Sequence, residues 1–368
     1  MSIKKSNEIP ILSFFSGGGF MDLGFEQAGY EVIWSNEFDK SFAALHASGI
    51  TSYRKSKGID KQAEIFNTDS INDITSNQII KEAFPKGKPP HFGIIGGPPC
   101  QDFSINGKQK GFDGDRGKLT VTYLNKIKDL QPDFFVLENV TGLFKIKSNR
   151  EYFEKLLTEV KKHYIIDHTI LNALSFGVPQ SRERIFVVGF RKDLPVVQHE
   201  VQDIFKFPFF NKYKNDNVIK QYSWPSVDNF GSTPEKNEKI PIELCVDSCL
   251  IPDKNLDKIP NANEFFPFRV SVEKLIGIKE GETNRPSFKR LHRYRYSPTA
   301  CYGNNEVHLH PFKNRRISVR EALRIQGVPD EYVLPPTISM SKKFKLIGNG
   351  VPVPLAKAVA EAIKDFIK

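Results

Sequence analysis

Cys100 closes the run Gly96-Gly97-Pro98-Pro99-Cys100, which follows an apolar stretch at 91–95. Two glycines allow a sharp turn, and two prolines hold the next residues extended and stiff, so the thiol is delivered on a rigid arm. A thiol held this way is either a fixed nucleophile or a small buried hydrophobe. Three acids, Glu37, Asp69 and Glu138, follow short apolar runs elsewhere in the chain. Gln180, Arg182 and Arg184 alternate, so an extended backbone presents them on one face. A thiolate is a soft nucleophile, and a carboxyl group can give or take a proton. A guanidinium fork can hold a base or a phosphate. Taken singly, each acid is equally well a surface carboxylate, and each arginine a solvated one.

The elements that must position these groups read as an α/β pattern. An apolar strand at 9–15 runs into Ser16-Gly17-Gly18-Gly19, and a helix from about Met21 to Ala28 stops at Gly29. A second strand at 31–36 ends at Glu37, about twenty residues beyond the glycine turn, a spacing that suits a ribose acceptor. A strand at 63–67 leads to Asp69, a fourth precedes Cys100, and a fifth at 133–137 runs into Glu138-Asn139-Val140. Ligands of open parallel sheets sit beyond the carboxyl ends of the strands. Gly17, Glu37, Asp69, Cys100 and Glu138 all occupy such ends, and as a set they are not explained as scattered surface groups. A further strand at 185–188 follows the arginine segment.

From about 193 to 290 the periodicity weakens and Pro, Asn, Lys and Asp increase, which reads as a separate, loop-rich domain. Cys245 and Cys249, and His308 and His310, do not form a zinc-type double pair, and no metal is expected. Order returns at Ser318-Val319-Arg320-Glu321, a capping box ahead of a helix. Gly348-Asn349-Gly350-Val351-Pro352 then introduces an amphipathic helix with Leu355, Ala358, Val359, Ala362, Ile363 and Phe366 on one face.

The 368 residues carry a net charge of +10 and are long enough for two domains. No apolar run of about twenty residues is present, so no membrane span is expected. The N-terminal residues lack the pattern of a secretory signal. The four cysteines, at 100, 245, 249 and 301, form no disulfide framework, which points to a reducing cytoplasm. Positive charge concentrates in residues 285–320, where Arg285, Lys289, Arg290, Arg293, Arg295, Lys313, Arg315, Arg316 and Arg320 are opposed only by Glu306. Interleaved with Phe288, His292, Tyr294, Tyr296 and Tyr302, the stretch reads either as a phosphate-tracking surface or as a solvated basic face.

The ordered set of motifs resembles the bacterial-type cytosine-C5 DNA methyltransferases over residues 11–192 and 294–365. Residues 14–26, Phe-Phe-Ser-Gly-Gly-Gly-Phe-Met-Asp-Leu-Gly-Phe-Glu, look like the family's S-adenosylmethionine loop, and Gly97-Pro98-Pro99-Cys100-Gln101 like its catalytic motif. Residues 104–112 with Arg116-Gly117 resemble the loop that closes over DNA. Glu138-Asn139-Val140, the 180–184 segment, the 316–330 segment and Gly348-Asn349-Gly350-Val351 follow in the family's order.

The resemblance implies a Rossmann-like S-adenosylmethionine methyltransferase sheet (1–192 plus 338–368) and a smaller, loop-rich DNA-recognition domain with a hinge (193–337). It implies Cys100 as nucleophile, Glu138 as partner of the cytosine N3 edge, Arg184 as a contact to the base and Arg182 as its support. Phe15, Gly17 and Gly19 would line the cofactor, with Glu37 on the ribose, Phe38 stacked on adenine, Asp69 and Leu119 beside adenine, and Asn349 and Val351 at the methionine end. Gln101, Ser104, Asn106 and Lys108 would belong to the loop meeting DNA. Four residues depart from the family's pattern: Ser13 stands where Asp is frequent, Phe20 for the second of two glycines, Asn106 for a small serine, and Gly350 for a serine. The implied protein is a monomeric cytoplasmic enzyme, bacterial or phage-encoded, acting on double-stranded DNA alongside a cognate restriction endonuclease. Transfer to tRNA by the same chemistry, and a non-catalytic DNA-binding role, are the alternatives. The long segment at 193–290 favours DNA, and the intact Cys100, Glu138 and Arg184 set favours catalysis.

Overall fold

The computed structural model of the protein describes residues 9–59, 64–99, 117–210, 212, 217–268, 271–303 and 306–368. In chain order these build β1 (Pro10–Phe14), α1 (Phe20–Gln27), β2 (Glu31–Asn36), α2 (Lys40–Ser56), β3 (Ile65–Asn67), α3 (Ser76–Ala83) and β4 (Gly93–Gly96). Then come α4 (Gly117–Leu130), β5 (Phe134–Asn139), α5 (Gly142–Lys145), α6 (Lys147–Val160), β6 (Tyr164–Asn172) and β7 (Glu183–Arg191). The segment that follows holds the short helices α7 (Val218–Gln221) and α8 (Val272–Ile276) and, among the described residues, four 3-10 turns (Pro195–Val197, Ile242–Leu244, Val246–Cys249 and Asp253–Asn255) before α9 (Val319–Ile325), α10 (Met340–Asn349) and α11 (Val353–Phe366). None of the helices described is long and apolar enough to cross a membrane.

The strands form one sheet in the order β3-β2-β1-β4-β5-β7-β6. Neighbours from β3 to β5 are parallel, and β7 lies antiparallel between β5 and β6. The central strands are apolar at nearly every position because both faces are covered. Alternation divides them: Ile11, Ile95, Phe134, Val136, Phe186 and Val188 join a core beneath α1 and α11. Leu12, Ile94, Phe135, Leu137, Ile185 and Val187 join the opposite core with Trp34 and Tyr123. The result is a helix–sheet–helix sandwich.

Three features of the elements were not evident in the sequence. β6 is an edge strand whose Asp167-His168-Thr169 centre interrupts the apolar pattern, and it follows a lysine-rich helix directly. Gly348 and Asn349 are the last residues of α10, so the 348–352 segment joins two helices instead of only starting one. Residues beyond 192 do not leave the sheet at once: Val197, Phe205 and Phe207 pack in the same core as α11, and Phe190 and Phe366 lie 4.5 Å apart between ring centres. The capping box holds, with the Ser318 hydroxyl accepting from Glu321 N and the Glu321 carboxylate accepting from Ser318 N.

Gly189 of β7 stands directly opposite Phe135 of β5, and a Cβ there would overlap the Phe135 ring. Gly189→Ala should therefore overpack the sheet and cost about 1–3 kcal/mol. An unchanged urea-unfolding midpoint would show that the ring can move aside.

Candidate active site

The parallel arrangement aligns the ends of β3, β2, β1, β4 and β5 along one edge, with the reversal of strand order falling between β1 and β4. On the β1 side, the backbone leaves the sheet through Phe15 (φ 55°), Gly17 (φ 56°) and Gly19 (φ 65°), and Gly19 caps α1. Three left-handed residues in five make a tight loop whose N–H groups turn toward the strand ends. Gly17 N donates to Glu37 Oε2 at 3.0 Å, and Asp39 N donates to Glu37 Oε1 at 2.8 Å. Burial raises the pKa of Glu37, and these two N–H bonds oppose the shift. Next to it the Phe38 ring is 71 % exposed, an unusual position for an unpartnered aromatic. Asp69 is exposed, and its backbone is fixed by Asn36 Nδ2 (3.0 Å to Asp69 O) and by Asn67 Oδ1. A Cβ built on Gly17 would meet nothing closer than Phe15 O at 4.0 Å, so the loop borders open space. Leu119 is half-buried and packs against the core on this side. The combination of a glycine cradle, a strand-end carboxylate and an open aromatic face fits an adenosine-bearing cofactor.

On the other side, Glu138 lies near the end of β5 on the face shared with Phe134 and Val136, and it pairs across the sheet with Phe186. Arg184 is two residues before Phe186 on the same face, so it approaches Glu138 diagonally. The Arg184 Nε sits 3.0 Å from Glu138 Oε1, and Arg184 Nη1 donates to the Glu183 carbonyl at 2.7 Å. Burial raises the pKa of Glu138, and the charges of Arg184 and Arg182 pull it back. The Gly97-Pro98-Pro99 arm docks here: a Cβ on Gly97 would lie 3.0 Å from Glu138 Oε2, and Asn139 Nδ2 donates to Pro98 O at 3.2 Å. Cys100, Gln101, Ser104, Asn106 and Lys108 lie outside the described residues; the arm is described as far as Pro99.

Arg182 shares the face of Arg184 but turns inward. It is fully buried, donating through Nη1 to Ala300 O (3.1 Å) and through Nη2 to Gly348 O (2.8 Å). Gln180, also fully buried, accepts from Ala300 N and donates to Ile325 O. These side chains fasten the distant 300 and 348 segments to the sheet, and the segment with exposed Asn349 and buried Val351 packs near the glycine loop, where a Cβ on Gly18 would overlap Leu346 and one on Gly350 the Phe20 ring.

Two of the departures from the family pattern are coupled. Phe20 is buried against Tyr332, with ring centres 5.9 Å apart, and a Cβ on Gly350 would overlap the Phe20 ring. The missing side chain at 350 makes room for the extra ring at 20. Ser13 donates to buried Asp22 Oδ1 at 2.8 Å, so the departure at 13 also has a partner in this chain.

The basic stretch at 285–320 is largely inward-facing, which corrects the expectation of a phosphate-tracking surface. Arg290 is fully buried, bonded to the carbonyls of Ile278, His310 and Leu275, with burial lowering its pKa to about 10. Arg320 is likewise buried, on Pro260, Pro329 and Tyr332 carbonyls. Arg316 bonds Val307 O, Arg293 pairs with Glu280, Arg315 with Glu321, Arg285 with Glu282 and Lys313 with Asp253. Lys289 and half-exposed Arg295, which lies 5.2 Å from the Tyr296 ring centre, make no ion pair with other described residues.

Buried Asp22, His46 and Glu64 also converge, behind the glycine loop. Sequence spacing gave no sign of this cluster, because its members stand on three different elements.

A family model described as C-5 cytosine-specific DNA methylase matches residues 9–365. The type II methyltransferase M.NmeDI of Neisseria meningitidis serogroup C is 40% identical, with 97% of this chain and 84% of that protein aligned. The type II methyltransferase M.FnuDI of Fusobacterium nucleatum is 33% identical over 97% of this chain and 94% of its own. Among solved structures, a chain assigned as a DNA modification methyltransferase encoded within an E. coli prophage superposes with a TM-score of 0.67 at 24% identity, covering 98% of this chain and 99% of its own.

The size exchange between positions 20 and 350 is testable by a double-mutant cycle. Gly350→Ser should cost about 1–3 kcal/mol beside Phe20 and far less in a Phe20→Ala background. Equal costs in the two backgrounds, measured by denaturant unfolding, would remove the coupling.

Proposed function

The chain belongs to the C-5 cytosine-specific DNA methylase family and is a DNA cytosine-5-methyltransferase of the type II restriction-modification kind, and from this we propose a specific reaction. S-adenosylmethionine is the methyl donor. The acceptor is C5 of a cytosine flipped out of a short, specific duplex sequence, and Cys100 forms a transient covalent bond to C6. Methylation protects that sequence from a cognate restriction endonuclease in a bacterial cytoplasm.

The observation carrying this reading is the Glu138–Arg184 pair beside the Gly97-Pro98-Pro99 arm, on the same sheet edge as the Gly17, Glu37 and Phe38 cradle. The cofactor supplies an activated methyl group on a sulfonium centre. Glu37 would hold the ribose hydroxyls, Phe38 would stack on adenine with Asp69 and Leu119 at its edge, and Phe15, Gly19, Asn349 and Val351 would border the remainder.

Cytosine C5 is too weak a nucleophile to act unaided. Addition of the Cys100 thiolate to C6 breaks the ring's aromaticity and moves an electron pair toward C5 and N3. Glu138, whose buried carboxyl holds its proton more tightly than an ordinary glutamate, donates to N3 and limits the charge there. C5 then takes the methyl group and loses its own proton to solvent. The electron pair left behind re-forms the C5–C6 double bond as the C6–S bond breaks to release the Cys100 thiolate, and N3 returns its proton to Glu138. Arg184 holds the carboxyl in place throughout. Extrusion of the base costs a few kcal/mol, which contacts from the 193–337 region and the 104–116 loop would offset. Lys289 and Arg295 are the members of the basic stretch suited to phosphate.

Bisulfite sequencing of plasmid DNA tests the scheme. Cys100→Ser should abolish methyl transfer, and Glu138→Gln should lower kcat about 10²–10⁴-fold. Because the pKa of Glu138 is raised, its acid form persists above the usual glutamate range, and the rate should fall as pH rises through that pKa. Glu138→Gln should lack this limb of the pH profile. Undiminished transfer by Cys100→Ser would refute the covalent mechanism, and methylation of tRNA in place of duplex DNA would refute the substrate.

A further inference from the structure

We propose that Asp22, His46 and Glu64 form a structural binding site for a divalent transition cation, with zinc as the natural probe. Asp22 comes from the first turn of α1, His46 from α2, and Glu64 from the residue entering β3. All three are buried, and Asp22 Oδ2, His46 Nε2 and Glu64 Oε1 each lack a hydrogen-bond partner. These three atoms point at one another: His46 Nε2 is 3.6 Å from Asp22 Oδ2 and 3.8 Å from Glu64 Oε1, and all lie within 4.8 Å. The spacings are too long for direct hydrogen bonds. Ligand atoms at about 2.0–2.2 Å from a tetrahedral zinc ion are roughly 3.3–3.6 Å apart, so a small contraction would bring the set around one ion.

The remaining valences of the cluster are already used, which aims the free atoms inward. Asp22 Oδ1 accepts from Ser13, Glu64 Oε2 from Arg54, and His46 Nδ1 lies 3.3 Å from Ser16 Oγ. With Nδ1–H donating to Ser16, Nε2 presents its lone pair to two carboxyl oxygens, and such a partner for the outer nitrogen is the usual support of a metal-bound imidazole. Charge leads to the same conclusion. The guanidinium of Arg54 pairs with Glu26 and Glu64, and Asp22 makes no ion pair with a lysine or arginine among the described residues. One nitrogen and two oxygens are ligands suited to a borderline cation such as zinc. The ion would cross-link α1, α2 and β3 directly beneath the glycine loop, where a Cβ on Gly19 would overlap the His46 ring.

The test uses tag-free, full-length protein stripped with a chelator and titrated with zinc chloride. One zinc should be retained per chain after desalting, by elemental analysis, with a rise in Tm. Cobalt(II) should give visible d–d absorption at the same stoichiometry. Glu64→Gln and Asp22→Asn remove a buried charge while keeping shape, so they should fold; each should weaken zinc binding roughly tenfold or more and erase the Tm shift. Wild-type protein that retains no metal and shows the same Tm with chelator or zinc overturns the proposal. Full uptake by both variants overturns it too, because the metal would then sit elsewhere. If either variant fails to fold, wild-type stoichiometry and the cobalt spectrum still decide.

Discussion

A buried backbone carbonyl requires a donor, and outside the sheet of this protein that donor is repeatedly an arginine. Regular structure satisfies the peptide groups of a strand or helix automatically, whereas the segment between β7 and α9 contains only two short α-helices and four single 3-10 turns among the described residues. Arg290 binds four carbonyls and Arg320 three, Arg316 binds one, and Arg182 ties two more from the sheet side. A planar guanidinium with five donors can knot several irregular strands of chain at one point. The same contacts explain how Asn349 and Val351, at the far end of the sequence, are held beside a sheet built from the first half.

With that frame fixed, the sheet edge divides the labour. β1, β2 and β3 present the glycine loop, Glu37, Phe38 and Asp69, while β4 and β5 present the Pro98–Pro99 arm and Glu138. The two groups lie on opposite sides of the reversal of strand order between β1 and β4, so a donor and an acceptor bound in them would meet across a short gap. Glu138 shows how environment tunes a carboxyl: burial favours the proton, and Arg184 limits the shift while fixing orientation.

The departures from the family pattern behave as local compensations and not as losses. Phe20 occupies the space that the absent side chain at 350 leaves, and Ser13 gives buried Asp22 a hydrogen bond. A core close-packed to crystal density tolerates an added ring only where another group is missing. The glycine loop can therefore keep its left-handed turns although the residue after Gly19 is bulky.

The sequence by itself determined the family, the order of the first five strands, the capping box and the identity of the residues at the strand ends. Those signals are local: apolar alternation, glycines at turns, and motifs whose spacing is set by a few bonds. It also determined that positions 180, 182 and 184 share a face, because side chains in an extended backbone alternate. Only the tertiary structure decided which way that face and the basic stretch point. Charge count along a chain is the same for an arginine in solvent and one buried on carbonyls, and the distinction depends on what packs around it. β6 was hidden because an edge strand is half solvated and carries polar residues at its centre. The Asp22, His46 and Glu64 cluster was hidden because its members meet only when α1, α2 and β3 pack together, and no spacing along the chain encodes that contact.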